Sequence, residues 1–217
     1  MSSLHKNIEY YANIQGTVEG AREEIEQGLA LLEKISAPIV TFFGSHRVNP
    51  DSKEYQACKE LAFTLGKQGY AIMSGGGPGI MHASNSGATA AQAISIGLKA
   101  KLLTKENITD PIFTDYLSFH FIFVRRFIMS IKSEALIFYP GGFGTLNELF
   151  EYLVLMQTGI VDTVPIICVD KEFWKGLFDW IVENPAKSNY LMDQKVDLSL
   201  LHFVDDSEEV ISLLPKI

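Results

Sequence analysis

Residues 134–151 read EALIFYPGGFGTLNELFE: a short, continuous apolar run that passes through glycines into a helical pattern with Leu146, Leu149, Phe150, Leu153 and Val154 on its apolar face. A run this short and this apolar suits a strand buried on both faces, and the glycines mark the turn into a helix. The same apolar punctuation recurs in PIVTFFG (38–44), YAIMSGG (70–76) and VPIICVD (164–170). Helical patterns lie near 53–68, 79–94, 121–133, 145–157, 172–183 and 206–214. Strands alternating with helices predict an α/β fold, an open, doubly wound parallel sheet wrapped on both faces. Two weaker runs, ISIGLKAKLL (94–103) and YLSFHFI (116–122), are candidates for further strands, the second alternating less cleanly. Ahead of them all, residues 18–35 predict an amphipathic helix with Val18, Ile25, Leu29, Leu32 and Ile35 on one side, closed off by Pro38.

The 217 residues and 47% hydrophobic content support one domain with a sizeable core. With 18 basic and 26 acidic residues the net charge is −8, and no run of Lys or Arg longer than a pair offers a track for a phosphate backbone, which argues against nucleic acid as a partner. The start, MSSLHKNIEYYANIQG, lacks a basic segment followed by an apolar one, and no stretch of about 18 uncharged apolar residues occurs, so a cytoplasmic location without membrane attachment is expected. Cys58 and Cys168 have no metal-ligand or CxxC spacing and are expected as buried thiols. His5, His46, His82, His120 and His202 are scattered singly, and no metal site is expected.

Ligands of an open parallel sheet bind beyond the carboxyl ends of its strands. Three loops fall there: FFGSHR (42–47) with Gly44 and Ser45, MSGGGPGIM (73–81) with Gly75, Gly76 and Gly77, and the PGGFGT stretch with Gly141, Gly142, Phe143, Gly144 and Thr145. Glycine admits a ligand close to backbone N–H groups, and the following helix adds free amides and a positive dipole end. Glycines at one strand end are accounted for by a tight turn, but three such loops together point to a phosphate or nucleotide. GxxxxGK[ST] and GxGxxG are both absent, so a single phosphate, as in a nucleoside monophosphate, fits better than a triphosphate or a dinucleotide. His46 stands beside the first loop, where ligand contact and a surface or capping role are both open.

Arg125 and Arg126 interrupt the apolar segment FIFVRRFIMSIKSEA near a helix start, where a cation opposes the dipole and calls for an anion; snorkelling to the surface or pairing with structural carboxylates is the alternative. Thr145-Leu146-Asn147-Glu148 matches the S/T-x-x-E capping box. The same spacing puts a carboxylate beside the phosphate loop, aimed at a ribose, where it would stabilise the oxocarbenium-like state of N-glycosidic cleavage or activate water. Spacing alone leaves both roles of Glu148 open.

SGGGPGIM (74–81), VRRFIM (124–129) and PGGFGTLNE (140–148) resemble the LOG ("LONELY GUY") family, over about residues 38–213. The resemblance also takes in FGSHR, the glutamate of LLTKE and the QTG at 157–159. It implies a Rossmann-like fold for residues 37–217 and association as a homodimer or larger homo-oligomer; residues 1–36 lie outside it and are expected as a helical extension covering the domain or its oligomer interface. It also implies cofactor-free hydrolysis of nucleoside 5′-monophosphates, such as AMP or cytokinin riboside monophosphates, to base and ribose 5-phosphate. By motif, Arg125 and Glu148 take the catalytic positions, the glycines of PGGFGT and Thr145 hold the phosphate, and Glu106 approaches ribose or base. Arg126 stands where lysine is usual, His82 where many relatives have glutamate, Asn147 where an acidic residue is common, and LLTKE lacks the relatives' proline. Relatives have also been labelled lysine decarboxylases, but no pyridoxal constellation is visible in the sequence. The competing expectation is a non-catalytic carrier or sensor of a nucleotide or molybdopterin-type cofactor.

Overall fold

The computed structural model describes residues 8–101, 112–191 and 198–217. A short helix α1 (Ile8–Ala12) leads into the long α2 (Ile14–Lys34). The chain then alternates through β1 (Ile39–Phe43), α3 (Lys53–Lys67), β2 (Ala71–Ser74), α4 (Ile80–Ala90), β3 (Ser95–Ala100) and β4 (Asp115–Phe119). It continues through α5 (Ile122–Ile131), β5 (Ser133–Phe138), α6 (Phe143–Gln157), β6 (Ile166–Val169), α7 (Lys171–Ile181), β7 (Leu201–Val204) and α8 (Ser207–Leu213).

The seven strands form one all-parallel sheet in the order β4-β3-β2-β1-β5-β6-β7. This is the expected Rossmann-like doubly wound fold, and its order reverses between β1 and β5. Alternate strand residues feed two cores. Ile39, Phe43, Met73, Leu98, Leu136 and Phe138 pack with Leu32 of α2, Ile128 of α5, Tyr152 of α6 and Trp174 of α7. Val40, Phe42, Ile72 and Ile137 pack on the other face with Leu61 of α3, Ala83 of α4 and Val210 of α8. Cover on both faces is why the central strands read as unbroken apolar runs.

Departures from the sequence reading fall at the margins. The run at 116–122 does form a strand, β4, and its position at the sheet edge, half-exposed, explains its weaker alternation. At the other edge, β7 is a strand the sequence reading omits: four residues with His202 in the middle give too short an apolar signal. In α2 the expected face holds only in part: Leu32 and Ile35 are buried and Ile25 packs on the core, but Val18 and Leu29 are exposed, while Glu24, Gly28 and Leu31 are buried in their place. No helix among the described residues is long and apolar enough to cross a membrane.

Candidate functional site

At the reversal point between β1 and β5, the loops after β1, β2 and β5 converge on a cavity of about 500 Å³. Backbone bonds tie the loops together through Ser45: its N–H donates to Pro140 O at 3.0 Å and its carbonyl accepts from Ile80 N at 3.1 Å. Gly79 lies under that carbonyl with φ +66°, and a Cβ there would overlap Ser45 O and His46. Below the second loop, the Ser74 hydroxyl accepts from Gly76 N at 3.0 Å and donates to Asn85, whose amide donates to Ser95 Oγ at 2.9 Å and to Ile96 O at 3.2 Å. This buried chain fixes the loop before any ligand arrives.

The third loop settles how α6 begins. Gly142 is the N-cap, with no side-chain capping bond, and Leu146 N donates to Gly142 O at 3.0 Å. Thr145 is therefore the third residue of the helix and Glu148 the sixth, so the capping-box reading of Thr145 and Glu148 is incorrect. Three glycines let the backbone enter the helix two residues earlier than the apolar pattern suggested. The first-turn amides are left without a side-chain cap, facing the cavity, at the positive end of the helix.

Glu148 instead turns across the cavity toward Arg125, Oε1 lying 3.9 Å from Nη1, with only 15% of its side chain exposed. That is an ion pair too long to be a hydrogen bond. Burial raises the Glu148 pKa above the ordinary carboxylate value; Arg125 and then Arg126 pull it back, and Glu151 adds to the rise. Arg125 is itself buried, its Nε donating to Leu98 O at 2.6 Å. Its guanidinium passes over Gly75 so closely that a Cβ there would overlap Nη2 and crowd the Met81 sulfur.

Of the residues singled out from sequence, Gly44, Ser45, Gly75, Gly76, Gly77, Arg125, Gly142, Phe143, Gly144, Thr145 and Glu148 line this one cavity. Gly141 does not, lying instead beneath Thr145. Arg126 points away, bonded to Asn147 and with Nε 2.9 Å from Glu151 Oε2. Glu106 lies outside the described residues. His46 does line the cavity, and so do Arg47 and Lys99, which the sequence reading did not single out. Arg47 follows the FGS loop directly, and Lys99 is a lone cation inside the apolar run ISIGLKAKLL; either signal would have found them. Among the described residues, three cations, Arg47, Lys99 and Arg125, thus face one lining carboxylate in a chain of net charge −8, a focus for an anionic ligand. The described residues contain no group of three or more His, Cys, Asp or Glu that could hold a metal ion.

A family model described as "Possible lysine decarboxylase" matches residues 81–214. A rice (Oryza sativa subsp. japonica) protein named probable cytokinin riboside 5′-monophosphate phosphoribohydrolase is 30% identical over 165 residues, 73% of this chain and 64% of its own length. A Mycobacterium tuberculosis protein named cytokinin riboside 5′-monophosphate phosphoribohydrolase is 31% identical over 128 residues, 56% of this chain and 66% of its own. Among solved structures, the molybdenum cofactor binding protein of Rippkaea orientalis superposes with a TM-score of 0.60 at 20% identity, covering 83% of this chain and 96% of that one, a likeness of fold.

Proposed function

The chain belongs to the LOG family, and from that premise we propose that it is a cytoplasmic nucleoside 5′-monophosphate phosphoribohydrolase, acting on AMP or a cytokinin riboside monophosphate-like substrate. The observation that carries the reading is the largely buried Glu148 side chain, 3.9 Å from Arg125, in the same cavity as the uncapped start of α6. The substrate phosphate takes the first-turn amides of α6 at Phe143, Gly144 and Thr145, with the loops at Gly44–Ser45 and Gly75–Gly77 enclosing the sugar. Glu148 then lies beside the ribose. As the bond from C1′ to the base nitrogen breaks, the base keeps the electron pair and positive charge grows on C1′ and the ring oxygen, where a fixed carboxylate stabilises it. Water adds to C1′, one of its protons passing to Glu148 and onward to the departing base, so that free base and ribose 5-phosphate result. A carboxyl with a raised pKa is suited to that transfer. Arg125 balances the charge of phosphate and carboxylate, and Glu106 contacts ribose or base on the strength of the family resemblance.

Pyridoxal-dependent decarboxylation does not fit these residues. Among the described residues, the cavity's lysine, Lys99, lies over the rings of Phe113 and Tyr116, and the lining carboxylate, Glu148, faces Arg125 rather than standing as an acidic partner for a pyridine nitrogen. A carrier that only binds an anion has no use for a buried carboxylate beside it.

The protein is further proposed to associate as a homodimer or larger homo-oligomer, covering the exposed Phe123, Phe127 and Ile131 of α5 and Phe150 and Val154 of the neighbouring α6. The test of the activity is a chromatographic screen for base release across the common nucleoside monophosphates. Wild type should release base from at least one, and Glu148→Gln should lose about 10² to 10³ in rate while still binding nucleotide. Retention of a tightly bound, uncleaved nucleotide by wild type would instead establish the carrier.

A further inference from the structure

The helix that presents Arg125 is held by α2, outside the part of the chain that resembles the family. Gly20, Glu24, Gly28 and Leu32 are spaced four apart and form one ridge of α2. Gly20 lies against the Phe121 ring, and Gly28 lies so close to Ile128 that a Cβ would overlap it. Between them Glu24, 6% exposed, accepts from the backbone N–H of His120 at 2.6 Å through Oε1 and of Phe121 at 3.0 Å through Oε2, with Lys101 Nζ at 3.4 Å. Phe121 is the N-cap of α5 and offers no capping side chain of its own. At the far end, Lys132 Nζ donates to the carbonyls of Leu32, at 2.9 Å, and of Ile35. The two helices therefore run side by side in the same direction, an arrangement in which their dipoles repel, and one buried carboxylate and one ammonium offset the two ends.

We propose that Glu24 is a positioning residue for Arg125: from another helix it anchors the two residues that lead into α5, whose first turn has no capping side chain, and so fixes the turn from which Arg125 reaches over Gly75 to face Glu148. Arg125 is the fourth residue of α5, and its N–H donates to Phe121 O at 3.1 Å, so the turn Glu24 grips is the one that aims the guanidinium. The end of β3 closes the arrangement, with Leu98 O holding Arg125 Nε and Lys101 holding Glu24. The fixed carboxylate also offsets the unfavourable placement of a cation in the first turns of a helix. This inference rests on the proposed part of Arg125 in the reaction.

The experiment uses the full chain labelled with nitrogen-15, in which the Nε–H resonance of Arg125 is assigned by its loss in Arg125→Lys. Glu24→Gln, which can still accept one amide but carries no charge, and Glu24→Ala are compared with Glu23→Gln, an exposed neighbour on the same helix. The Arg125 Nε–H resonance should shift and exchange faster with water in both Glu24 variants and stay unchanged in Glu23→Gln. In the Glu24 variants kcat should fall about tenfold or more per folded molecule while KM stays within about twofold, because the α6 phosphate loop is untouched. An unchanged Arg125 resonance in folded Glu24→Gln, or in folded Glu24→Ala, overturns the proposal, as does an unchanged kcat. If wild type cleaves no monophosphate, the activity reading fails alone, and the resonance still decides the role of Glu24.

Discussion

Glu148 shows how one carboxyl reads differently in sequence and in space. A capping glutamate stabilises its helix, whereas a glutamate largely withdrawn from water in a cavity destabilises the fold when it ionises. Its pKa is raised, so between the ordinary carboxylate value of about 4.3 and the raised one the folded chain keeps a proton that the unfolded chain gives up. The stability Glu148 contributes is thus present at low pH and lost as pH rises through that interval. Glu148→Gln cannot ionise, so its melting temperature should equal or exceed that of wild type at pH 7, with the difference growing as pH is raised from about 4. A uniformly lower melting temperature, flat with pH, would mean that the side chain supports the helix after all. Gly75 offers a second test. Gly75→Ala should keep its circular dichroism spectrum yet lose about 10²-fold in base release, because the new methyl displaces the Arg125 guanidinium. Spacing left the two roles of Glu148 open, because the capping-box pattern rests on where the helix starts, and the structure puts that start at 143.

Among the elements, α2 separates what periodicity reveals from what it hides. Its length and helical state were legible from its apolar spacing, but the buried ridge holds two glycines and a carboxylate, which a hydrophobic pattern assigns to solvent. Leu29→Gln should therefore change stability by no more than about 0.5 kcal/mol in chemical denaturation, being on the exposed side. Leu32→Ala, in the core, should cost about 2 to 5 kcal/mol. Equal losses would restore the face expected from sequence. The strands were legible for the opposite reason: in the middle of a sheet covered on both sides, burial leaves an unbroken apolar run, and only at the edges, in β4 and β7, did the signal weaken or vanish.

At the scale of the molecule, the strand alternation was enough to predict a site at the carboxyl ends of the sheet, and the glycine loops named most of its backbone. What the sequence could not supply was the meeting of distant side chains: Lys99 from β3 and Arg47 from the first loop join Arg125 only once the strands are ordered. The apolar side chains left exposed on α5 and α6 carry the expectation of self-association. Phe127→Glu combined with Val154→Glu should reduce the sedimenting mass to that of one chain; an unchanged mass places the contact elsewhere. The two-sided core has one more consequence, since each layer holds one of the chain's two cysteines, Cys58 on the inner side of α3 against α4, Cys168 of β6 on the face of α6 and α7. Burial raises both thiol pKa values, so neither reacts while its layer is closed. Each sulfur is thus a clock for its own side of the sheet: in mild denaturant, the order in which a thiol reagent labels Cys58→Ser and Cys168→Ser proteins should report which layer of helices lifts first.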